Sequence, residues 1–152
     1  MKDFKKLKAG DEILFSGTIY TARDQAHKRL VEAIKSGRKL PIGLKSAIIY
    51  YCGPTTSSRM DNFTPDLLTV GLKSIIGKGN RSKEVVEAIK KHKAVYFLAY
   101  AGLGALISKH VKSNKLIAYP DLGPEAIYEL KVVDLPLIVG IDSNGRNIYG
   151  SS

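Results

Sequence analysis

Three polar clusters each follow an apolar run and carry residue types able to hold an anion. They are Thr21-Ala22-Arg23-Asp24, Gly53-Pro54-Thr55-Thr56-Ser57-Ser58-Arg59-Met60 and Lys78-Gly79-Asn80-Arg81-Ser82. Each precedes a stretch that reads as the start of a helix. A helix N-terminus offers unpaired backbone N–H groups and the positive end of the dipole, which suits an anion. Arg23, Arg59, Lys78 and Arg81 add full charges there. Arginine grips a carboxylate with two parallel hydrogen bonds, and lysine adds a point charge. The pattern points to a small dicarboxylate. The bland reading of the same residues is that they cap helices and face water.

Other chemistries find less support. No run fits a P-loop, Gly77-x-Gly79 lacks the third glycine of a dinucleotide fingerprint, and Gly102-x-Gly104 is too short to mean anything alone. No two of the three histidines have metal-ligand spacing, and no Ser-His-Asp set can be argued from spacing. The single cysteine, Cys52, excludes an internal disulfide and any cluster built from this chain's own thiolates. At the end of an apolar strand it reads as an inert buried thiol. Thr55 and Thr56 follow a proline and also read as turn hydroxyls. His27, one turn into the first helix, reads as packed or surface, and His92 and His110 as solvent-facing. Asp121 and Glu125 flank Gly123-Pro124 and either cap a helical turn or line a site, with the structural role preferred.

The elements that must position these residues alternate. A strand is expected over Asp11–Tyr20. Thr21-x-x-Asp24 resembles a capping box and opens a helix whose apolar face is Ala22, Ala26, Leu30, Ala33 and Ile34, ending near Ser36-Gly37. Ser46–Tyr51 reads as a buried strand, Ser58-x-x-Asp61 and Thr64-Pro65 as helix starts, and Ser74–Gly77 as a short strand. Ser82 caps a helix running through Lys91, with Val85, Val86 and Ile89 inward. Ala94–Tyr100 is a strand and Gly102–Val111 is helix-like. Lys115–Tyr119, Ala126–Val133 and Leu137–Ile141 are strands. Asp142-Ser143-Asn144-Gly145 turns into a last short strand ending near Tyr149. This order predicts an α/β domain with a mixed sheet flanked by helices.

The chain has 152 residues, 44% hydrophobic and 25% charged, which fits one ordinary globular domain over 1–152 and excludes a disordered or collagen-like chain. Net charge is +10 from 24 basic and 14 acidic residues, which raises nucleic acid, an anionic membrane or acidic small molecules as partners. The lysines are spread along the chain, so a solvated surface is the simplest account. Most of the eight tyrosines fall inside apolar strands, which argues against a nucleic-acid-binding module with stacking aromatics. The longest charge-free stretch, Ala94–Ser108, is short of the roughly 20 residues a membrane helix needs. The first residues are basic without an apolar core, so a cytoplasmic protein is expected.

Four motifs occur in a family's order: Ser16-Gly17-Thr18-Ile19-Tyr20-Thr21-Ala22-Arg23-Asp24 through His27; Gly53-Pro54-Thr55-Thr56 with Arg59-Met60; Lys78-Gly79-Asn80; and Tyr119-Pro120-Asp121-Leu122-Gly123 with Glu125-Ala126-Ile127. Over about Leu7 to Tyr149 the chain resembles the β subunit of class I fumarate hydratase and the similar β subunit of L(+)-tartrate dehydratase. The resemblance implies a swivelling β/β/α domain like the mobile domain of aconitase. It implies a hydro-lyase, acting on fumarate and L-malate, whose [4Fe–4S] cluster is held by three cysteines of a partner α subunit in an α2β2 assembly. By the same resemblance, Arg23, Arg59 and Lys78 bind the substrate carboxylates and Thr55 is the catalytic base. Asp24 and His27 orient Arg23, and Thr56 and Asn80 support the site. The partner supplies the acid that protonates the leaving hydroxyl.

Overall fold

β-Branched and aromatic residues dominate the strands of this protein, and its helices carry an apolar face at helical spacing. The computed structural model describes residues 4–45, 47–51, 61–99 and 109–150. The strands are β1 (Glu12–Thr21), β2 (Ile48–Tyr50), β3 (Ser74–Gly77), β4 (Val95–Ala99), β5 (Val111–Ala118) and β6 (Ile127–Ile141). The helices are α1 (Asp24–Lys35), α2 (Thr64–Thr69) and α3 (Lys83–His92). The sheet runs β1-β2-β3-β4-β6-β5, with a further pairing of β1 to β6. β1 to β4 are mutually parallel, and β6 is antiparallel to β1, β4 and β5. The pairings from β1 through β2, β3, β4 and β6 return to β1, so the sheet closes on itself. The mixed sheet expected from the sequence is observed.

Closure divides the core in two. Alternate residues of a strand face opposite sides. Ile48 and Tyr50, Ile76, Val95 and Phe97 pack with Phe15, Leu135 and Leu137 inside the closed sheet. Ile49 and Tyr51, Ile75 and Tyr96 face outward and meet the helices through Ala26 and Leu30 of α1, Leu67 and Leu68 of α2, and Val85 and Ile89 of α3. Ser82 caps α3 as expected, its Oγ accepting from Val85 N at 3.3 Å. Pro65 lies in the first turn of α2, where its missing N–H costs nothing.

Four expectations are corrected. The capping box at Thr21-x-x-Asp24 does not form: the N-cap of α1 is Arg23, in extended conformation and without a side-chain cap, and Thr21 ends β1. The strands expected over Ala126–Val133 and Leu137–Ile141 are one strand. β1 pairs with it on both sides of Asp134, from Tyr128 to Val132 and from Leu135 to Ile138, and this pairing carries the strand through Asp134-Leu135-Pro136. The irregularity survives as a bulge. Asp134 has φ 52, its N–H donates to Ser16 Oγ at 2.9 Å, and the register shifts between Phe15 and Gly17. β5 begins at Val111 rather than Lys115, because an exposed edge strand of polar residues shows no apolar alternation. After the Asp142 turn there is only an isolated bridge between Ile141 and Asn147 in place of a strand. There the Asp142 carboxylate accepts from the N–H groups of Ala9, Asn144 and Arg146. Cys52 and most of the helix-like stretch Gly102–Val111 lie outside the described residues.

Candidate functional site

Because β1, β2, β3 and β4 are adjacent and parallel, their carboxyl ends share one edge, where the residues that follow β1 and β3 emerge. In α/β folds with parallel strands, open or closed, ligands bind beyond such carboxyl ends. Arg23 follows β1 by two residues and Lys78 follows β3 directly. β2 lies between them, so the two backbones are two strand spacings apart, about 10 Å. An arginine and a lysine side chain on two backbones that far apart are long enough to meet the two ends of a short dicarboxylate. Thr55, Thr56 and Arg59 follow β2 in the chain and lie outside the described residues.

Arg23 and Asp24 are half-buried at the start of α1. The carbonyl of Arg23 accepts twice from His27, from its backbone N at 2.9 Å and its Nδ1 at 3.0 Å. A carbonyl partner requires the proton on Nδ1, which leaves Nε2 as an acceptor. His27 is fully buried, its ring edge-on to Tyr51 at 4.8 Å and tilted against Phe63 at 6.0 Å. Burial pushes its pKa down to about 4, against smaller opposing effects of the Arg23 carbonyl and the Asp24 charge. At neutral pH the imidazole is uncharged. It braces the backbone of Arg23 and does not present a charge of its own.

The Lys78-Gly79-Asn80 turn is held at each residue. Gly79 has φ 75, a conformation that favours glycine. Lys78 O accepts from Arg81 Nη2 at 3.0 Å, and Gly79 O accepts from Tyr96 Oη at 2.8 Å. Asn80 Oδ1 accepts from Arg81 N and from Asn147 Nδ2. The sequence placed Arg81 among the charges available to an anion, and the structure corrects this. Its side chain is completely buried, with Nη1 on Asp61 Oδ1 at 2.7 Å and the guanidinium over the Tyr96 ring at 5.2 Å. Asp61 Oδ2 takes Ser82 N at the start of α3.

Asp121 and Glu125 hold α1 in place, as the structural reading expected. Asp121 accepts from both terminal guanidinium nitrogens of Arg29, which holds its carboxyl below the usual carboxylate range. Glu125 Oε1 accepts from Gln25 N at 3.2 Å, so this acid, a hundred positions along the chain, supplies the capping contact that Thr21 was expected to give. No local sequence signal could have shown this. Surface cavities of about 650 Å³ beside Arg29 and Tyr119, and about 520 Å³ beside Leu14 and Pro136, contain none of the cluster residues and are not the candidate site.

The family model described as Fumarase C-terminus matches residues 1–152. The chain belongs to this family. Among its relatives is "Putative L(+)-tartrate dehydratase subunit beta" of Methanocaldococcus jannaschii, 39% identical over 97% of this chain and 86% of the relative. "Fumarate hydratase class I, aerobic" of Escherichia coli (strain K12) is 35% identical over 88% of this chain and 27% of the relative. "Fumarate hydratase 2" of Leishmania major is 33% identical over 94% and 28%. The chain thus spans about a quarter of the length of these two fumarate hydratases and most of the length of the tartrate dehydratase β subunit. This Fumarase C-terminus chain does not itself fit an iron–sulfur cluster. It has one cysteine, and among the described residues no three His, Cys, Asp or Glu side chains are grouped to hold a metal. No described helix is long and apolar enough to cross a membrane.

Proposed function

We propose that this chain is the β subunit of a class I fumarate hydratase, interconverting fumarate and L-malate in a site completed by an α subunit. The observation that carries the reading is the parallel run β1 to β4, which brings Arg23 and Lys78 to one edge on either side of β2. The match of the Fumarase C-terminus family over the whole chain supports it. Arg23, Arg59 and Lys78 bind the two carboxylates. In the dehydration direction Thr55 takes the proton from the carbon next to a carboxylate. The cations at that carboxylate stabilise the charge that builds there, which is where preorganised charge accelerates a reaction. A threonine hydroxyl is a weak base, so a neighbouring group must relay its proton. Asp24, His27, Thr56 and Asn80 keep the binding groups in position. A [4Fe–4S] cluster belongs to the α subunit, since this chain cannot supply three thiolates. Two chains closing over the substrate orient it and exclude water. We place the assembly, α2β2 in form, in the cytoplasm.

A second reading, L(+)-tartrate dehydratase, is favoured by one observation: the Methanocaldococcus jannaschii relative carries that name and is nearly coextensive with this chain. Both substrates are four-carbon dicarboxylates. The deciding experiment assays the chain alone and mixed with its α subunit, anaerobically, against fumarate and L-tartrate in parallel. Activity only in the mixture, lost in Arg23→Ala, is expected. No turnover of either acid by an intact complex overturns both the fumarate and the tartrate reading and moves the assignment to another hydroxy acid or to a binding role.

A further inference from the structure

The Arg81–Asp61 pair is costly to bury and is not needed as a surface charge. Arg81 has no side-chain exposure, and Asp61 retains 12%. Apolar residues of similar volume often stabilise a core as well as such a pair, so a buried pair is weak evidence for stability alone. What this pair does is geometric. One guanidinium holds both Asp61 Oδ1 and the carbonyl of Lys78, and the other oxygen of Asp61 holds Ser82 N. Asp61 stands two positions after Arg59 in the sequence, and the pair ties Asp61 itself to the turn that carries the third cluster. Tyr96 completes the clamp, with its ring under the guanidinium and its hydroxyl on Gly79 O.

We infer that Arg81, Asp61 and Tyr96 are positioning residues that set the Lys78 ammonium against the substrate carboxylate. The inference rests on the reading of Lys78 as a substrate-binding cation. Small displacements of a gripping group cost catalysis steeply, because orientation is a large part of the rate. Arg81→Lys keeps the charge facing Asp61 but cannot keep both hydrogen bonds of the planar fork. Tyr96→Phe removes only the hydroxyl on Gly79 O and leaves the ring on which Arg81 rests.

The test is a double-mutant cycle on the reconstituted two-chain enzyme, with kcat and KM for whichever dicarboxylate the enzyme turns over. Amide exchange of the segment 78–82 is followed alongside. Arg81→Lys and Tyr96→Phe are each expected to lower kcat/KM about tenfold, the effect of one mispositioned charged contact. Both should speed exchange at 78–82. In a Lys78→Ala background neither change should cost anything further, because they act through Lys78. A merely structural role predicts additive losses and overturns the inference. So does wild-type kcat/KM in both single variants while Lys78→Ala is impaired. If Lys78→Ala itself is as active as wild type, the carboxylate-binding role of Lys78 fails, and this inference falls with it. Should Arg81→Lys not fold, Tyr96→Phe alone runs the cycle with the same outcomes.

Discussion

Acid should weaken this protein through His27 before most carboxylates begin to titrate. The imidazole is fully buried between Tyr51 and Phe63, and its pKa falls from 6.5 to about 4. Its folded pKa lies below its unfolded value. Between the two, the unfolded chain binds a proton that the folded chain refuses. The contribution is therefore fully present above pH 6.5 and lost as pH falls toward about 4. Linkage puts the loss at about 1 kcal/mol at about pH 5.5 and about 2–3 kcal/mol at about pH 4.5, levelling between about 3 and about 4 kcal/mol below about pH 4. The assay is urea unfolding of wild type and His27→Phe across this range. The variant keeps an aromatic ring and removes the titrating group, so effects of carboxylates cancel in the difference. The wild-type stability should fall faster than the variant's by the amounts above. Parallel curves for the two proteins, or a His27 ring titrating near 6.5 by NMR, would refute the reasoning.

Two further outcomes follow from packing and charge. Gly140→Ala should cost about 1–3 kcal/mol by overpacking. A Cβ there would stand 3.1 Å from Leu98 Cγ and 3.2 Å from Tyr96 Cδ2, and Tyr96 is fully buried, so a wild-type urea midpoint would contradict the packing account. Arg29→Gln breaks the ion pair with Asp121, but both side chains are well exposed at 39% and 62%. The loss should be small and shrink in high salt, and a clear fall in calorimetric Tm would show that this contact anchors α1 more firmly than exposed pairs do.

Much of the fold was legible because its signals are local. Ser74–Gly77 is a strand of four buried residues that reads directly as an apolar run. Ser82 and Pro65 announce their helices by the chemistry of a helix N-terminus. Signals failed where a distant partner decided the outcome. β6 runs through Asp134-Leu135-Pro136 because β1 pairs along it, and the edge strand β5 shows little apolar pattern because solvent covers it. The start of α1 is capped by Glu125, and no window around Thr21 contains that information.

The candidate site divides in the same way. Residue types and order alone pointed to Arg23 and Lys78 at strand ends, where the structure has them, and showed that one cysteine cannot hold a cluster. Only the tertiary structure decided that the Arg81 charge is turned inward and away from a ligand. Arg81 looks equivalent to Lys78 in the sequence, yet it is spent on Asp61, because desolvating a guanidinium demands a carboxylate partner and the fold brings one from twenty residues away. His27 likewise reads as an ordinary histidine until its surroundings are known. Burial removes its charge and turns it into a brace for Arg23, and burial is a property of the packed chain.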